Sequence, residues 1–108
     1  MPRYAVPANS DDEQELAAVF GSAVNLSIIR ELQRHSPRTL GDLTEALAIG
    51  PSTVASRVRE LEAHGVIIGD PPRASRKQGT EASLSLDDVV IQRLLSQLEH
   101  IVSGRKSA

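Results

Sequence analysis

The 108-residue chain has no cysteine and no tryptophan, and its only aromatic residues are Tyr4 and Phe20. Without cysteine, disulfides, thiolate zinc sites, iron–sulfur clusters and a cysteine nucleophile are all excluded. Two aromatics cannot build the stacking platform that single-stranded nucleic acid or RNA recognition uses. Long apolar runs are missing too. The longest uncharged stretch, residues 16–29, is interrupted by Gly21, Ser22, Asn25 and Ser27, and a bilayer span needs about 20 apolar residues. The opening segment, MPRYAVPANSDDEQE, lacks the apolar core of a secretory signal. A soluble, cytoplasmic protein with no membrane partner is expected. Enzyme signatures are equally scarce. There is no glycine-rich phosphate loop with its lysine and no Gly-x-Ser-x-Gly elbow. The three histidines (His35, His64, His100) are scattered, and no catalysis is expected.

Hydrophobic residues make up 40% and charged residues 24% of the chain, the balance of an ordinary globular domain. A chain of this length buries roughly 65% of its unfolded surface, which suits one modest core. The net charge of −2 is unevenly spread: residues 1–49 carry −3, residues 50–79 carry +2, and residues 80–108 carry −1. A local basic block, rather than the total, governs attraction to phosphate.

Residues 1–10 contain two prolines and no periodicity and read as a flexible arm. Ser10 and Glu13 have capping-box spacing, and a helix over 11–20 follows with Leu16, Val19 and Phe20 on one face. A second helix is predicted over 23–35, stopped by Ser36-Pro37. Thr39 is suited to cap a third over 40–48. Pro51 is suited to the first position of a fourth, over about 51–64, ended by Gly65. Val54, Val58 and Leu61 form its inward stripe, leaving Ser52, Ser56, Arg59 and Ala63 opposite, with Thr53 and Arg57 on the flanks. Val66-Ile67-Ile68 reads as a strand and Thr80–Leu86 as a second. They bracket a basic loop that holds Arg73, Arg76 and Lys77. Asp87 caps a last helix over 88–103, and residues 104–108 are a loose tail. The expected fold is mainly α with a small β-hairpin wing: a winged helix-turn-helix over residues 11–103, with the hairpin over 66–86.

Residues 20–68 resemble the ArsR-like winged-helix transcription regulators, with the MarR-like regulators as near relatives. The segments that carry the resemblance are Asn25-Leu-Ser-Ile-Ile-Arg-Glu-Leu32, Thr39-Leu-Gly-Asp-Leu43, Ile49-Gly-Pro-Ser-Thr-Val54 and Leu61-Glu-Ala-His-Gly-Val66. The resemblance implies a fourth helix that enters the major groove of double-stranded DNA, with Ser52, Thr53, Ser56 and Arg57 at contact positions. Serine and threonine can reach phosphate or base, and arginine reads guanine through two acceptors. Arg59 on the exposed face would also touch DNA, and Arg73, Arg76 and Lys77 in the wing would follow the backbone or the minor groove. The plainer alternatives are that Ser52 is only a cap and that Arg59 pairs with Glu60 or Glu62.

The family's metal sensors place cysteines in the third helix or Asp and His along the last. Residues 40–45 have no cysteine, and His100 stands beside Glu99 alone, so neither metal nor cofactor is expected. The last helix carries two adjacent apolar stripes, wider than one small domain needs. Leu16, Val19 and Phe20 of the first helix and Ile91, Leu94, Leu95, Leu98, Ile101 and Val102 of the last are therefore expected to form a homodimer interface, as the resemblance also implies. The expected function is a dimeric repressor that occupies a palindromic DNA site. The alternatives are a protein–protein adaptor, which has no need of the wing cations, or a plasmid or phage architectural protein.

Overall fold

The structure, a computed structural model, describes residues 11–77 and 79–104. The expected N-terminal arm, the Ser10 cap and the tail after Gly104 lie outside them. The chain runs α1 (Asp11–Phe20), α2 (Ala23–Arg34), α3 (Leu40–Leu47), α4 (Pro51–Ala63), β1 (Ile67–Asp70), β2 (Ser83–Leu86) and α5 (Asp88–Ser103), with a short 3-10 turn at Arg73–Ser75.

Local chemistry sets most of these boundaries. Three acidic residues open α1, where the helix dipole favours negative charge. Ser22 caps α2, accepting from the Asn25 amide. Thr39 and Asp42 form a reciprocal capping box on α3. Asp87 caps α5 by accepting from the amides of Val89 and Val90. At the end of α4, Gly65 takes the left-handed conformation at φ 77°, which glycine adopts at no steric cost. Its amide bonds to Glu62 O and the Val66 amide to Leu61 O, closing the helix in a Schellman motif.

The core is one cluster to which α1, α2, α3, α4, both strands and α5 each contribute. Ile28, Leu32, Leu43, Val54, Leu61, Val66 and Leu94 at its centre are almost fully buried. Asn25 is the buried polar exception: its side-chain amide donates to Ala18 O (2.9 Å) and Val19 O (3.2 Å). Those are orphan carbonyls at the end of α1, so Asn25 fixes the corner between α1 and α2.

The strands are antiparallel, with Ile67 opposite Leu86 and Asp70 opposite Ser83. Arg38 adds a one-residue bridge on the far side of Leu84, through Arg38 N–Leu84 O (2.9 Å) and Leu84 N–Arg38 O (2.7 Å). The link between α2 and α3 is thereby stitched to the outer edge of β2. Both strands differ from expectation in extent. β1 begins one residue later and runs on through Gly69 and Asp70, poor strand formers held there by pairing with Leu84 and Ser83. β2 begins at Ser83 rather than Thr80, because β1 ends at Asp70 and offers no partner further out.

Candidate nucleic-acid interface

Helices α3 and α4 meet across a tight turn: Ala48 is left-handed at φ 54°, and Gly50 is the extended residue before Pro51. Pro51 occupies the first helical position, where its missing amide hydrogen costs nothing. Gly50 offers no side-chain cap and the first turn holds no acid. The amides of Ser52 and Thr53 are thus left to face outward with the helix's partial positive charge. Ser52 is not the cap; it is exposed, as are Thr53, Ser56 and Arg59.

Along α4 the acidic residues choose partners that separate the arginines by role. Arg57 pairs with Glu60 at 3.4 Å, each side chain 42% exposed. Glu62 turns to the wing. Its Oε2 accepts from Arg76 Nη2 at 2.7 Å, and its Oε1 accepts from Arg73 Nη2 at 3.2 Å and Arg76 Nη1 at 3.4 Å. Arg59 therefore pairs with neither acid and keeps an exposed guanidinium, contrary to the plainer alternative. Lys77, also exposed, has no acidic partner among the described residues.

Of the three wing cations expected along the DNA backbone or minor groove, Arg76 is the most enclosed. Only 15% of its side chain is exposed, and its Nε donates to Pro71 O at 2.9 Å, so it lies against the start of the wing loop. Arg73 is half-exposed and holds Glu62 from outside. A cavity of about 750 Å³ lies between the wing and helices α3 and α4, with Arg59, Glu62, Arg73, Arg76, Lys77 and Glu81 among its lining residues. The pairing of Glu62 with residues 11 and 14 positions away left no trace in helical spacing, which favours i,i+3 and i,i+4 partners.

The expected dimer face is also partly redrawn. Leu16, Val19, Ile91 and Leu94 are at most 5% exposed; they pack inside the protomer and have no surface left to offer. Phe20 and Leu98 are half-buried, while Leu95, Ile101 and Val102 are exposed. Phe20, Leu98 and Ile101 line an apolar cavity of about 500 Å³ between α1 and α5. Behind it, Glu15 of α1 reaches His64 Nδ1 at 3.1 Å, where α4 ends, and Arg93 of α5 at 3.8 Å. His35 and His64 are the C-cap residues of α2 and α4. Among the described residues, no group of three or more His, Asp or Glu is placed to hold a metal, and no helix is long and apolar enough to cross a membrane.

Residues 22–68 match the winged helix-turn-helix DNA-binding family. No curated protein matches the chain. Among solved structures, an ArsR family transcriptional regulator is similar with a TM-score of 0.66 at 14% identity, covering 91% of this chain and 100% of its own. The homodimeric winged helix-turn-helix DNA-binding domain Mb0332 of Mycobacterium bovis gives 0.60 at 13% identity, covering 90% and 83%. The transcriptional repressor BigR of Xylella fastidiosa gives 0.57 at 17% identity, covering 88% and 88%. The chain has the winged helix-turn-helix fold that these regulators share.

Proposed function

We propose that this winged helix-turn-helix protein is a homodimer that binds a specific double-stranded DNA site and represses transcription by occupying it. The observation that carries the reading is the outer face of α4. Its first turn has no acid, its polar side chains Ser52, Thr53 and Ser56 are exposed, and Arg59, exposed beside them, has no acidic partner among the described residues. Such a face presents hydrogen-bonding groups and positive charge where a helix in the major groove needs them.

In this reading Ser52, Thr53, Ser56 and Arg57 face base edges, and the free amides at the start of α4 hold a phosphate. Arg57 exchanges its weak contact with Glu60 for a base. Arg59, Lys77 and the exposed half of Arg73 follow the backbone. The apolar remainder of α1 and α5 meets a second copy across a two-fold axis, so two α4 helices lie about one DNA turn apart and favour a palindrome. The homodimeric state of the Mycobacterium bovis neighbour supports that arrangement. Neither metal nor catalysis is required: repression is occlusion, in the cytoplasm.

The test is selection from a randomised duplex pool, followed by a salt titration of the winner. A palindromic winner with a steep salt slope supports the reading. No enrichment, with weak salt-sensitive binding alone, overturns it in favour of an architectural or adaptor role.

A further inference from the structure

We propose that Glu62 is a positioning residue for the wing, and that Arg76 serves as its clasp rather than as a phosphate contact. Three observations converge on this. The Glu62 side chain is 9% exposed, yet both its oxygens are engaged, accepting three N–H groups from Arg73 and Arg76. Arg76 spends its remaining reach on Pro71 O, where the wing loop leaves β1. One guanidinium thus joins the recognition helix, through Glu62, to the turn that leaves β1. The third observation is Gly69. A Cβ there would fall on the Arg76 guanidinium and lie 2.6 Å from Glu62 Oε2, so the ion pair rests on bare backbone. Gly69 does not have a positive φ, and its glycine identity is explained by this close approach rather than by its conformation.

The consequence is geometric. The hairpin's inner edge is held by core residues, but the loop after Asp70 leaves the sheet at Pro71. The Glu62–Arg76 pair is what sets the angle of that loop relative to α4. Lys77 follows Arg76 directly, so its position over the backbone depends on the clasp. A guanidinium bridging two oxygens and a carbonyl has a fixed orientation that a lysine ammonium lacks.

The inference rests on the DNA-binding reading, and the experiment separates the two. Three variants are compared with the wild-type chain on the selected duplex: Glu62→Gln, Arg76→Lys and Gly69→Ala. Gly69→Ala changes no charge at all. The clasp predicts that each weakens binding by about tenfold, within the usual range of energetic coupling between sites, with the salt slope unchanged. A double-mutant cycle between Glu62→Gln and Gly69→Ala should be strongly non-additive. If Arg76 instead contacts phosphate, Arg76→Lys keeps the slope and the affinity, Gly69→Ala has no effect, and Glu62→Gln tightens binding by removing a negative charge; that pattern overturns the proposal. In parallel, amide hydrogen exchange on the DNA-free variants should rise across residues 67–86 while α4 stays protected. Unchanged exchange also overturns the clasp. A wild-type chain that binds no duplex overturns the DNA-binding reading instead, and the exchange arm, which needs no DNA, still decides whether the clasp exists.

Discussion

Arg57 and Arg59 stand two residues apart on α4 and differ in exposure and in partner. Arg59 is exposed and unpaired; Arg57 is flanking and leans on Glu60. Replacing Arg59 by alanine should weaken binding to specific and random duplexes alike and lower the salt slope by about 1. Replacing Arg57 should cost about 1–3 kcal/mol on the selected site and relax sequence preference there. Equal losses on both duplexes would make Arg57 a phosphate contact. Asn25 poses a question of stability. Truncation to alanine leaves the Ala18 and Val19 carbonyls without their donor, at a cost of about 1–3 kcal/mol. Urea unfolding should show that loss with an unchanged m-value. Neither Asn25 nor Glu62 could be picked out from the sequence. Each acts across a corner or a loop, and a polar residue's distant partner has no periodic signature.

At the scale of elements, caps made the helices legible. Thr39, Asp87 and Gly65 sit at boundaries that their side-chain chemistry or backbone freedom dictates. The hairpin was legible in kind but not in extent, because strand length is set by the partner. Gly69 and Asp70 join β1 only through Leu84 and Ser83, and Arg38 joins the sheet by a single bridge to Leu84. The α3 cap carries a pH prediction. The Thr39 backbone amide, then its hydroxyl, hold the Asp42 carboxyl below its usual range. A carboxyl whose folded value is depressed contributes stability above its ordinary value and loses it as pH falls through the lowered one. An NMR titration of the Thr39 amide should therefore turn over below the ordinary aspartate midpoint, and Asp42→Asn should abolish the transition. A turnover at or above that midpoint would contradict the capping box.

For the whole molecule, the apolar excess of α5 divides between two duties. Ile91 and Leu94 complete the protomer's core, while Leu95, Ile101 and Val102 remain 42%, 47% and 76% exposed. The two adjacent stripes were visible in the sequence; that the core would take Leu94 from one and Ile91 from the other was not, since that depends on how α1 lies across α5. The double substitution Leu95→Glu with Ile101→Glu touches only exposed positions. It should leave the circular dichroism spectrum intact and yield a monomer in sedimentation at tens of micromolar. It should also bind a half-site as weakly as the full palindrome. A variant that still sediments as a dimer would place the interface elsewhere.

The central claim is that two copies of α4 read one DNA site. Fluorescence anisotropy on the selected duplex and on a scrambled duplex of equal composition, at one physiological salt concentration and with stoichiometry determined, tests it most directly. The account predicts two chains per duplex and a preference for the selected site of about a thousandfold or more. One chain per duplex, or equal affinity for both sequences, would contradict it.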